Sequence, residues 1–149
     1  MSTHTATITW TRRATGFDYE TYNREHEWSF SGGQRLNASA APEYKGSEDC
    51  VDPEEAFAAS LASCHMLTFL AIASKKRLVV DSYTDEAVAH LEKNAEGLLA
   101  VTRVELHPKI SFSGEKVPTA DEIERMHDSA HRNCFIANSV KTEVVVIAR

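Results

Sequence analysis

The spacing of apolar residues changes several times along the chain, and each change marks an element. Residues 6–11 are rich in β-formers, and within 25–30 His26, Trp28 and Phe30 fall on one side at period two, which predicts two strands. Ser31-Gly32-Gly33 supplies turn residues before a third short strand at 34–38, so the second and third strands form a hairpin. Residues 41–49, with Pro42, Gly46 and several charges, read as a loop.

Asp52-Pro53-Glu54-Glu55 then opens a helix. Asp52 is the N-cap, Pro53 takes the first helical position, and Glu55 completes a capping box beside the positive end of the helix dipole. The helix is predicted to run to about residue 76. Its body, 56–73, carries only Ser60, Ser63, His65 and Thr68 as polar residues, so it is apolar on nearly every face and is expected to be buried all round. That length approaches a bilayer span, but His65 and the many small side chains argue for a central core helix and against a membrane. A small domain has difficulty covering every side of such a helix, so a partner subunit is expected on one face.

Two long strand-like segments follow, 79–91 and 98–112, joined through 93–97 as an antiparallel hairpin. In the second, Val104, Leu106, Ile110 and Phe112 alternate with Arg103, Glu105, His107 and Lys109, giving one dry and one wet face. Thr119-Ala120-Asp121-Glu122 is another capping box, and Ile123, Met126 and Ala130 continue at helical spacing to about residue 133. Cys134 stands where that helix should end. Residues 135–140 suggest a short helix and 142–148 a closing strand. Three strands, a buried helix, two long strands, a second helix and a last strand predict an α+β fold with antiparallel sheet.

The length suits one domain, 1–149, and a composition of 42% hydrophobic and 26% charged residues is that of a folded globular protein. Sixteen Lys and Arg against twenty-two Asp and Glu leave a net charge of −6, which disfavours nucleic acid as a partner. Three cysteines are too few and odd in number for a disulfide scaffold, and the N-terminus has no basic stretch followed by an apolar one. A reducing, cytoplasmic location is expected.

Of those cysteines, Cys64 in Ser63-Cys64-His65 reads by itself as a small buried hydrophobe. Cys134 lies at a helix junction, where a following helix would offer its positive end to a thiolate. Cys50, among acidic neighbours that raise a thiol pKa, is read as incidental.

The stretch from Asp52-Pro53-Glu54-Glu55 to Ser63-Cys64, with a second cysteine seventy residues on in Ala130-His131-Arg132-Asn133-Cys134, resembles the OsmC/Ohr family of osmotically induced and organic hydroperoxide resistance proteins. The resemblance extends over most of the chain from Trp10. It implies an intertwined α+β homodimer, antiparallel sheets around the buried central helix, that reduces organic hydroperoxides without haem, flavin or metal. By position it makes Cys64 the peroxidatic thiol and Cys134 the resolving one. It further implies an arginine that steadies negative charge and a glutamate that orients it, roles that fall to Arg24 and Glu54. A dithiol reductant, such as a lipoylated protein, would restore the thiols. Phe135 departs from the family pattern, in which proline often follows the second cysteine.

The chemistry agrees with these roles. A thiolate attacks the O–O bond and becomes a sulfenic acid, which a second thiol condenses with before over-oxidation. Both cysteines must then meet in space. On one straight helix, Glu54 and Cys64 would lie about 15 Å apart along the axis, so either the chain bends or two subunits share the site. Two readings compete. One is a non-catalytic dimer that binds an apolar ligand beside its buried helix. The other is a metal site of Cys64, His65, His131 and Cys134, although neighbouring residues on a helix point about 100° apart and chelate one ion poorly. His65 and His131 are otherwise read as packing groups or as groups behind the thiols.

Overall fold

The computed structural model describes residues 1–148. The chain forms two compact units, Met1–Ala56 and Phe57–Arg149.

In the first unit, β1 (Ala6–Thr9), β2 (His26–Phe30) and β3 (Arg35–Ala38) make an antiparallel sheet in that order, followed by a 3-10 turn at Pro42–Tyr44. Ile8, Trp28 and Leu36 align across the three strands, so period-two alternation collects the apolar side chains into one row. The hairpin turns at Gly33, whose φ of 86° suits glycine, with its N–H donating to the Phe30 carbonyl at 3.0 Å.

Helix α1 (Pro53–Lys75) begins as the sequence predicts. Asp52 Oδ1 accepts the Glu55 N–H at 2.7 Å, and Glu55 Oε2 accepts the Asp52 N–H at 3.1 Å. At its other end Arg77 takes a left-handed φ of 59°, and the Leu78 N–H donates to the Ala73 carbonyl at 3.0 Å, closing a Schellman-type cap.

The second unit packs α1 onto two small cores. Ala58, Leu61 and Ala62 meet Val104 and Leu106, while Phe69 and Ala73 meet Leu78, Met126 and Ala130. The helix is long and apolar enough to cross a membrane by length and composition, yet one side of it is this core. The expected all-round burial does not hold within one chain. Ala59, Ser63, Leu67 and Ala71, four residues apart and therefore on one stripe, are exposed, Leu67 to 61%.

The two long strands are each broken in two. β4 (Val79–Asp85) pairs with β7 (Pro108–Ser113), and β5 (Val88–Lys93) pairs with β6 (Leu99–Leu106), so one expected hairpin serves two sheets. Pro108 has no N–H for the ladder and starts β7. The wet face holds: Glu105 takes Arg103 at 2.9 Å, with His107 and His90 at 3.3 and 3.4 Å. The closing strand β8 (Glu143–Val146) lies beside β6 and runs parallel to it, where an all-antiparallel arrangement was expected.

Helix α2 (Ala120–Asn133) starts on the predicted capping box, Thr119 Oγ1 accepting the Glu122 N–H at 3.2 Å. Cys134 is its C-cap. The short helix expected at 135–140 is a 3-10 turn, Ala137–Ser139.

A candidate thiol site between α1 and α2

Cys64 sits near the middle of α1, half-buried, and Cys134 caps α2 at 1% exposure. Their side chains lie close enough for Cys64 to act on the Cys134 thiol, and no disulfide joins them. The fold therefore brings together two of the four site residues expected from the sequence, although seventy positions separate them. Burial, then the Cys64 side chain, push the Cys134 thiol above its ordinary pKa. The N–H groups of Ala137, 3.4 Å from the sulfur, and of Ile136 pull the other way, and burial prevails. The positive helix end foreseen beside Cys134 is thus present only as two backbone donors. Cys134 therefore keeps its proton at neutral pH.

Behind the thiols stands a pair that the sequence reading missed. His65, next to Cys64 and 1% exposed, places Nε2 3.0 Å from Nδ1 of His127 on α2, itself 4% exposed. The His127 ring lies 4.5 Å from that of Phe69. Burial, then the fields of His127 and His131, bring His65 down to about 4, and burial also lowers His127, so both rings are neutral at pH 7. His65 Nδ1, His127 Nε2 and His131 Nδ1 are buried without hydrogen-bond partners. A signal was available: Ile123, Met126, His127 and Ala130 share the apolar stripe of α2, where a histidine is out of place. Among the described residues, no three His, Cys, Asp or Glu side chains are grouped so as to hold a metal ion.

The other two expected residues lie in the first unit. Arg24 donates to the Tyr22 carbonyl at 2.7 Å and to the Tyr19 carbonyl, with its guanidinium 3.7 Å above the Tyr22 ring. Its backbone carbonyl is held by His26 Nδ1 at 2.8 Å, and the Trp28 indole N–H donates to His26 Nε2, which fixes the tautomer. Arg24, Trp10, Phe17, Tyr22, His26 and Pro53 line an aromatic pocket of about 430 Å³. Glu54, half-buried in the first turn of α1, makes no ion pair with Arg24 among the described residues. Cys50 also belongs to this unit, in a polar hollow beside Arg13 and Glu25.

Comparison with known proteins places this arrangement. A family model described as OsmC-like protein matches residues 46–149. An OsmC-like protein of unknown function from Vibrio cholerae has a solved structure that is 51% identical over the whole of both chains, with a TM-score of 0.96. Organic hydroperoxide resistance proteins from Elizabethkingia anophelis and Legionella pneumophila, each 19% identical, share the fold. The first has a TM-score of 0.73, with 99% of this chain and 94% of that one covered, and the second 0.70, with 99% and 97%. No curated protein matches. A family match over two thirds of the sequence, joined to full-length similarity at half of all positions, makes this chain a member of the OsmC-like family.

Proposed function

We propose that the protein is a homodimeric thiol peroxidase that reduces organic hydroperoxides, and the observation that carries this reading is the closeness of Cys64 to the buried Cys134, whose thiol burial and Cys64 push above its ordinary pKa. Cys64 as thiolate attacks the terminal peroxide oxygen. The O–O bond breaks, the alcohol ROH leaves with a proton, and sulfur becomes Cys64–SOH. Cys134 then attacks that sulfur, and its thiol proton departs with the hydroxyl as water, leaving the Cys64–Cys134 disulfide. A dithiol such as a lipoylated protein reduces the disulfide and is itself oxidised. A thiol that stays protonated until this moment suits the second step, because its proton is consumed there.

Arg24 supplies positive charge to the thiolate and the developing alkoxide, with Glu54 to orient it. The aromatic pocket beside Arg24 suits an apolar peroxide body. The second subunit covers the open stripe of Ala59, Ser63, Leu67 and Ala71. The cytoplasm, which keeps both thiols reduced, is the compartment this cycle requires.

The test is reduction of cumene hydroperoxide with dihydrolipoamide as donor. Wild type turns over, Cys64→Ser is inert, and Cys134→Ser reacts once and stops as a dimedone-trappable sulfenic acid. Full activity in Cys64→Ser would end the proposal.

A further inference from the structure

Two neighbouring positions of α1, Cys64 and His65, meet two positions of α2 and its cap, Cys134 and His127, which are seven residues apart. One contact is the thiol pair and the other is the imidazole pair. Because each helix is rigid over these few residues, the length of one contact constrains the other.

A buried imidazole pair is an expensive way to fill a core. Each neutral ring has one donor and one acceptor, and the shared hydrogen bond satisfies one nitrogen of each. The remaining two, His65 Nδ1 and His127 Nε2, are buried and unpartnered, which costs the fold their desolvation. Two aliphatic side chains would avoid that cost, but they would pack at a range of distances. A hydrogen bond between two buried rings, one of them against Phe69, fixes both length and direction.

We infer that the His65–His127 hydrogen bond is a positioning device that holds α1 and α2 at the separation where the Cys64 and Cys134 sulfurs meet. Neither histidine touches the peroxide in this assignment. Their effect is read where the two sulfurs join, in the resolving step. The inference rests on the pairing of Cys64 with Cys134 used above, and it concerns only how readily those two sulfurs join.

The effective concentration of the dithiol isolates that property without any peroxide. The whole protein is equilibrated in glutathione redox buffers, and the fraction of Cys64–Cys134 disulfide is read by mass spectrometry. His127→Leu keeps the volume and removes the hydrogen bond. His127→Asn returns a side-chain amide near the place of Nδ1. His127→Leu is expected to lower the effective concentration about tenfold or more, equivalent to about 30 mV for this two-electron couple, and His127→Asn to stay within about threefold of wild type.

Wild-type behaviour in His127→Leu overturns the inference, and so does a loss in His127→Asn as large as in His127→Leu, which would mark a packing effect. If His127→Leu fails to fold, His127→Asn decides alone: a value near wild type supports the hydrogen bond and a tenfold loss rejects it. A wild-type protein that is inert to hydroperoxide would remove the peroxidase reading and leave this measurement standing. The reverse also holds, so the two failures are distinguishable.

Discussion

Asp85 Oδ1 accepts the backbone N–H of His107 at 2.7 Å, from the end of β4 to the residue between β6 and β7. The two strand breaks therefore face one another, and a carboxylate supplies the acceptor that a continuous ladder would otherwise provide. Asp85→Ala leaves that N–H without this partner in a half-buried setting, and a loss of about 1–3 kcal/mol is expected. Urea unfolding monitored by tryptophan fluorescence checks it, and a change below about 0.5 kcal/mol would show the break to be self-supporting.

Leu67 projects from the open stripe of α1, between Ser63 and Ala71. If a second copy covers that stripe, Leu67→Asp sets a charge within an apolar contact, where desolvation without a partner is costly. Light scattering is expected to give twice the chain mass for wild type and the single-chain mass for Leu67→Asp. A wild type at single-chain mass contradicts the homodimer.

Acid stability should carry the mark of the imidazole pair. His65 titrates at 6.5 when unfolded and at about 4 when folded, so between these values the unfolded chain binds the additional proton. Stability therefore falls as pH drops through that window, and the loss is complete below 4. Between pH 7 and pH 5 the His65 share amounts to about 2 kcal/mol, with His127 acting in the same direction. Ordinary carboxylates titrate little above pH 5. Unfolding free energies at pH 7, 6 and 5 are expected to decline in wild type and to decline less in His65→Gln. Parallel slopes would mean that the imidazole is already protonated in the fold.

Arg77 holds a φ of 59° at the end of α1, a conformation that costs a side-chain-bearing residue about 1–2 kcal/mol. Arg77→Gly relieves that cost but adds freedom to the unfolded chain. A net gain of about 0.5–1 kcal/mol is expected, seen as a rise of a few degrees in thermal midpoint.

Much of this molecule can be read from local chemistry, and what escapes is non-local. Asp52 with Glu55 and Thr119 with Glu122 mark both helix starts, because a capping box lies within four consecutive residues. The strand break at Pro108 is hidden because Val104, Leu106, Pro108, Ile110 and Phe112 keep one parity, and the dry face continues through it. The parallel pairing of β6 with β8 also leaves no sign in either strand, since period two is indifferent to direction. At the site, Cys64 and Cys134 are identified by resemblance, and the fold supplies the proximity that spacing alone cannot. His127 does not stand out in the sequence, because an isolated histidine in an amphipathic helix is common and only its partner on α1 gives it meaning.

The parallel strand has a temporal consequence. Glu143 aligns with Arg103 across forty residues, Thr142 Oγ1 donates to the Val101 carbonyl at 2.8 Å, and the Ile147 N–H donates to the Leu106 carbonyl at 2.7 Å. During synthesis β6 emerges long before its neighbour and waits with one edge bare while β7 and α2 are made. The three-stranded sheet is finished only once β8 has been made, so β8 is the segment on which nascent folding of this sheet waits.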